Sequence, residues 1–294
     1  IRQNMIWVGG SDGFQLINIT NGAEEYDIER TSNQYTADGS PYDMMIHNNI
    51  MYYHSGDESD EVSRLNVSNG ASLSNLDIGA QVGQNGGDIV GMELSGDTLM
   101  VSVVSGQWWN ADGSGGIARW NTTTSTYETN ILPTGSIDRV TSYRSSNGNT
   151  WVAWGELKLD LYDSSQTLVN SWDDFEFPIR GIVEHNGETM FATEDGIARY
   201  DEVTNTWNST WEAGNGLPGN AGDIFYELWT DGTNLVVGGA EFNNFGQFQE
   251  GIVSHRNGAG AWTSYAADST NNMPDGYPIS MEMCGGVLNI AMYN

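Results

Sequence analysis

Seven short, nearly unbroken apolar runs punctuate this chain: Ile6-Trp7-Val8, Met51-Tyr52-Tyr53, Leu99-Met100-Val101, Trp151-Val152-Ala153, Met190-Phe191-Ala192, Leu235-Val236-Val237 and Leu288-Asn289-Ile290. They begin 39 to 53 residues apart. Runs this short, bounded by glycine and polar residues, predict many short strands joined by tight turns. Four follow the same turn signal: Gly96-Asp97-Thr98, Gly148-Asn149-Thr150, Gly187-Glu188-Thr189 and Gly232-Thr233-Asn234. There glycine offers the positive φ of a tight hairpin. After each run comes a second strand, clearest in Gly116-Ile117-Ala118-Arg119-Trp120-Asn121 and its near copy Gly196-Ile197-Ala198-Arg199-Tyr200-Asp201. A third strand is marked by an aromatic, Tyr26, Tyr127, Trp172, Trp207 or Trp262. Links containing Pro133, Pro178, Pro218 and Pro274 lead onward, where the missing N–H of proline costs no ladder bond. No segment carries the 3.6-residue period of a helix longer than about two turns.

A repeat of about 40–50 residues is what a four-stranded propeller blade requires. The expected fold is therefore all-β, a β-propeller of four-stranded antiparallel blades, with residues 1–294 forming one domain. The Gly216-Leu217-Pro218 link, the acid-x-x-Gly turn before an apolar run and the Gly196–Asp201 strand together resemble the two-component-regulator propeller repeat family. The resemblance covers nearly the whole chain. It implies that an innermost strand precedes each apolar run. Six such strands can be counted, around Asp43, Ile89, Val140, Ile182, Ile224 and Ile279, against seven runs. A seven-bladed ring with an incomplete last blade accounts for this, and a six-bladed ring with a spare terminal strand is the alternative. The family's propellers serve as sensor, scaffold and enzyme domains, so the resemblance speaks to fold and not to function.

Charge narrows the partners. The formal net charge is -29, and Lys158 is the single lysine. Such a surface repels nucleic-acid phosphates and anionic membranes, so neither is expected as a partner. It suits a saline or marine setting where self-repulsion is screened; the alternative is binding of a cation or a cationic partner. Cys284 stands alone, which excludes an intrachain disulfide. No apolar run is long enough to span a membrane, and no signal peptide is present. Beginning at Ile1, the chain reads as a processed or excised piece of a longer protein.

Candidate chemistry is sparse. Glu93, Glu184 and Glu282 each lie three residues before a turn glycine, with Glu227 less regularly placed. A ring of them could bind a cation or act as acid and base, but acids at this position are expected to accept turn hydrogen bonds. Arg64, Arg119 and Arg199 share one repeat position and are expected to bridge neighbouring blades. His47, His54, His185 and His255 show no metal-ligand spacing, and no Gly-x-Ser-x-Gly elbow occurs. Sequons occur at Asn18, Asn66, Asn121 and Asn208. Three of these fall where Asp163 and Asp201 also sit, which indicates Asx-turn chemistry before glycosylation.

Two insertions break the repeat, Ser105–Gly115 and Ala240–Glu250, both between the second and third strands of a blade. The first holds Trp108, Trp109, Asn110 and Asp112, the second Phe242, Phe245 and Phe248. Aromatics interleaved with amides and acids suit a sugar or peptide platform on the rim that also carries the proline links. The competing reading is that these aromatics fold back over their own blades. Asn110-x-Asp112-Gly113-Ser114 begins like a Ca²⁺ loop but lacks the downstream bidentate acid, so no cofactor is expected. The expected function is non-catalytic binding of a glycan, peptide or protein by an exported or cell-surface protein. The alternatives are a polysaccharide lyase or glycoside hydrolase using pocket carboxylates, and the sensor ectodomain of a signalling protein.

Overall fold

The structure, a computed structural model, describes residues 5–10, 13–18, 24–29, 43–54, 60–83, 87–104, 115–132, 140–154, 158–173, 178–194, 196–213, 215–218, 224–242, 248–266, 276–284 and 287–293. Seven sheets are formed among these residues, and every hairpin within them joins consecutive strands. Sheet one holds β1 (Met5–Gly10), β2 (Gly13–Asn18) and β3 (Glu24–Glu29). Sheet two holds β4 (Asp43–His47), β5 (Ile50–His54), β6 (Glu61–Asn66) and β7 (Ala71–Asp77); a single-turn helix, α1 (Ile78–Val82), follows it. Sheet three holds β8 (Asp88–Ser95), β9 (Thr98–Val104), β10 (Gly115–Asn121) and β11 (Thr126–Tyr127). Sheet four holds β12 (Val140–Arg144), β13 (Thr150–Trp154), β14 (Lys158–Tyr162) and β15 (Leu168–Trp172).

Sheet five holds β16 (Gly181–His185), β17 (Glu188–Thr193), β18 (Gly196–Asp201), β19 (Thr206–Ala213) and β20 (Gly216–Leu217). Sheet six holds β21 (Ile224–Thr230), β22 (Leu235–Phe242), β23 (Phe248–Arg256) and β24 (Trp262–Ala266). Sheet seven pairs β25 (Tyr277–Cys284) with β26 (Val287–Tyr293). The ladders are antiparallel throughout, except that β20 adds to β19 in parallel. That fifth strand is unexpected, because the Gly216-Leu217-Pro218 segment reads as a link. It stops at the proline, which has no N–H to continue the ladder.

The chain divides into two compact units, 1–144 with 149–172, and 145–148 with 173–294. In the first unit β4 lies beside β8 and β8 beside β12; in the second β16 lies beside β21 and β21 beside β25. Within each unit these sheets therefore meet at their first strands and pack face to face, which is a propeller-like arrangement.

Packing explains the apolar runs. Six fall on the second strand of their sheets, β5, β9, β13, β17, β22 and β26, and Ile6-Trp7-Val8 falls on β1, the first strand of the three-stranded sheet. In β9, Leu99, Val101 and Val103 enter the core shared with sheet two, whereas Met100 and Val104 enter the core shared with sheet four. In β22, Leu235 and Val237 face sheet five while Val236 faces sheet seven. A strand buried on both faces loses the period-two alternation, so it reads as a continuous apolar run. The last strands behave oppositely. β7 and β15 are largely exposed, and Leu168 and Val169 lie open to solvent. The turn glycines Gly96, Gly148, Gly187 and Gly232 all have positive φ, as the hairpin signal required.

Candidate binding site on the strand-connection rim

The connection between β9 and β10 holds Trp108, Trp109, Asn110 and Asp112, which lie outside the described residues, as does Phe245. What the structure describes is the second insertion's frame. There β22 and β23 stay paired from Ala240 opposite Gly251 through to Phe242 opposite Phe248. Phe242 and Phe248 are thus strand residues rather than loop residues, a correction to the eleven-residue insertion read from sequence. The repeat predicts strand ends from shared length, and this hairpin simply outgrows its blade. A register shift after Glu241 marks the overhang, as bulges do where a ladder ends. Phe248 is 40% exposed.

The same rim of the second unit carries a polar cluster. Arg180 extends the β16 ladder by donating its backbone N–H to the Ala192 carbonyl. Its Nη2 donates to Glu194 Oε1 at 2.6 Å, and its guanidinium lies 5.2 Å from the centre of the Tyr226 ring. Tyr226 is the extra residue where the β21–β22 register shifts between Phe225 and Glu227. The bulge lets its backbone depart from the alternation that its neighbours keep. Arg180 Nε is buried without a hydrogen-bond partner. The sequence reading missed this cluster. Its one signal was an arginine directly before an inner strand, at Arg139 and again at Arg180, in a chain with few basic residues.

Elsewhere the recurrent residues have local partners. Glu184 accepts from both the backbone N–H and the hydroxyl of Ser146. Glu93 Oε2 is buried without a partner, and burial drives its carboxyl well above the usual range against bonds from Arg144 and Ser142. Glu184 makes the turn bond expected of such acids, whereas Glu93 bonds to strand β12 instead. The arginines correct the expectation of inter-blade bridges. Arg119 pairs with Glu128 at 3.0 Å and Arg199 with Glu188 at 2.7 Å, each within its own sheet. Only Arg64 reaches the next sheet, lying 5.4 Å from the Trp120 ring centre. The carboxylates nearest these guanidiniums come from adjacent strands of the same ladder, so the shortest pairing closes within the sheet. His47 meets Asp97, and His185 meets Thr230, at the inner-strand turns.

The Asx turns form as the sequence indicates. Asn66, Asn121, Asp163 and Asp201 each accept backbone N–H bonds from residues two to four positions on, and Asn257, which the sequence reading did not single out, does the same. Those bonds hold the carboxyls of Asp163 and Asp201 below their ordinary range; at Asp163 the largest contribution is the Ser165 hydroxyl.

No protein-family model matches the chain, and no curated protein matches it. Solved structures do. One is a chain of the computationally designed Ika8 protein, 12% identical, covering 100% of this chain and 94% of that one, with TM-score 0.61. Another is a chain of the Mitotic Checkpoint Complex, 10% identical, covering 99% of this chain and 82% of that one, with TM-score 0.67. Likeness at such identity is likeness of fold. Because 1124 chains match in this way, the fold does not choose among functions.

Proposed function

We propose that this chain is a non-catalytic binding domain of an exported or cell-surface protein. It takes a glycan, peptide or protein on the rim formed by the connections between second and third strands. The ring has seven blades with an incomplete last one, of the two-component-regulator type, and residues 1–294 act as one domain. The observation that carries the reading is Phe248, exposed on a hairpin that extends past its blade and sits opposite Phe242. An exposed aromatic on an overhanging hairpin offers a ligand an apolar face to pack against. Glu184, one of the recurrent inner-strand acids, commits both oxygens to Ser146, which does not favour it as an acid–base group.

The test is a glycan and peptide screen with wild type, Phe248→Ala, and a Trp108→Ala/Trp109→Ala double variant. Loss of the wild-type hits in both variants, with unchanged unfolding midpoints, is the expected result. Hits that survive in both variants overturn the rim as the site.

A further inference from the structure

Arg256 differs from the other arginines of its unit. Arg180 and Arg199 each hold a glutamate. Arg256 stacks on Trp211, 4.9 Å from the ring centre, yet among the described residues it forms no ion pair and donates no side-chain hydrogen bond. Trp211 meets Trp262 edge to face at 6.0 Å, and Arg199 packs on the same indole at 4.4 Å. The indole N–H groups of Trp211 and Trp262 also have no acceptor among the described residues, and neither is a buried orphan. All three side chains are half-buried. Sheets five and six therefore present together a guanidinium and two indole edges that can only donate.

Carboxylates are abundant in a chain of net charge -29, so a stacked guanidinium that meets none among the described residues is a departure. Stacking fixes the plane of the fork and leaves its N–H groups pointing away from the ring, which is the geometry for a bidentate carboxylate. Trp211 carries both guanidiniums, so Trp262 is the indole that would meet the C–H face of a sugar. Long polyanions are repelled by the rest of the surface, whereas a single terminal carboxylate meets only the local field. We propose that Arg256, with Trp211 and Trp262, forms a subsite for a uronic acid residue at the end of a glycan. The subsite lies between β19 and the β23–β24 hairpin and is independent of the rim loops. Arg64 provides the contrast, since it also stacks on an indole but donates its Nε to the Ser74 carbonyl.

The test is calorimetric titration with a disaccharide ending in glucuronic acid, its methyl ester, and acetate. Tryptophan fluorescence gives a second readout. Wild type and Arg64→Gln should bind the acid equally. Both the methyl ester and the Arg256→Gln variant should weaken binding by about tenfold or more, as expected for losing one charged fork. Arg256→Lys keeps the charge without the fork and should also bind more weakly, which guards against a variant that fails to fold. Equal affinity in wild type and Arg256→Gln, or no binding by wild type, overturns the subsite. Acetate binding as tightly as the disaccharide overturns the sugar assignment.

Discussion

The indole N–H of Trp154 donates to the Asp160 carboxylate at 2.7 Å, inside a sheet where the aspartate is fully buried. Tyr162 and Ser171 donate to the same carboxylate, and Lys158 lies 3.9 Å away. Asp160 occupies the β14 position that alanine holds at Ala118 and Ala198 in the neighbouring repeats. Its blade also lacks the repeated arginine, having Leu161 there. Replacing Asp160 with Ala strands two buried donors, Trp154 and Tyr162, so a loss of about 3 kcal/mol is expected. Urea unfolding followed by tryptophan fluorescence measures it. A change below about 1 kcal/mol would show that the network carries no stability.

His54 is the clearest pH-sensitive group. Burial lowers it from 6.5 to about 4. A depressed histidine favours the folded state fully above its unfolded value, and that contribution fades as pH falls through the folded value. At ~1.4 kcal/mol per pH unit, full protonation of His54 should cost the fold on the order of 3 kcal/mol relative to the unfolded chain. With four histidines in the chain, proton NMR should show one imidazole that stays neutral until near pH 4. Ordinary titration of all four would contradict the packing around β5.

Glu93 acts with the opposite sign. Its raised carboxyl favours the fold at low pH, and that contribution is lost as pH rises through its folded value. Glu93→Gln should therefore gain stability relative to wild type as pH climbs from 4.5 to neutral. Parallel denaturation curves across that range check it. A constant gap between the two proteins would mean that Glu93 is not titrating in the fold.

The strand plan was legible in sequence because β5, β9, β13 and β17 are buried on both faces, which imprints unbroken apolar runs. The Asx turns were legible because Asn66 and Asp201 use short side chains in a purely local bond. The partners of Arg119 and Arg199 were not legible, because cross-strand register decides which carboxylate is nearest. Nor was the overhang at Phe242 and Phe248, where a longer ladder and a longer loop share the same residues. The Arg180–Glu194–Tyr226 cluster joins three elements and depends on a one-residue bulge, which leaves no periodic trace.

Two glycines that look alike in the repeat should respond very differently to alanine. Gly187 turns the β16–β17 hairpin at φ +80, and a Cβ there would meet nothing within 4 Å. Gly196 opens β18 at φ +132, and its Cβ would lie 2.1 Å from the Trp211 carbonyl oxygen. The first substitution costs only backbone strain, roughly 1–2 kcal/mol. The second adds a collision with backbone that no rotamer can relieve, so β19 has to move away from β18. Trp211 would move with it, disturbing its contacts with Arg199 and Arg256. Gly196→Ala is therefore expected to lose about 3 kcal/mol or more and to change tryptophan fluorescence in the folded state. Gly187→Ala should leave that emission unchanged. Thermal unfolding and emission spectra of the two variants side by side decide the matter, and equal losses would mean that β18 and β19 do not approach as closely as described.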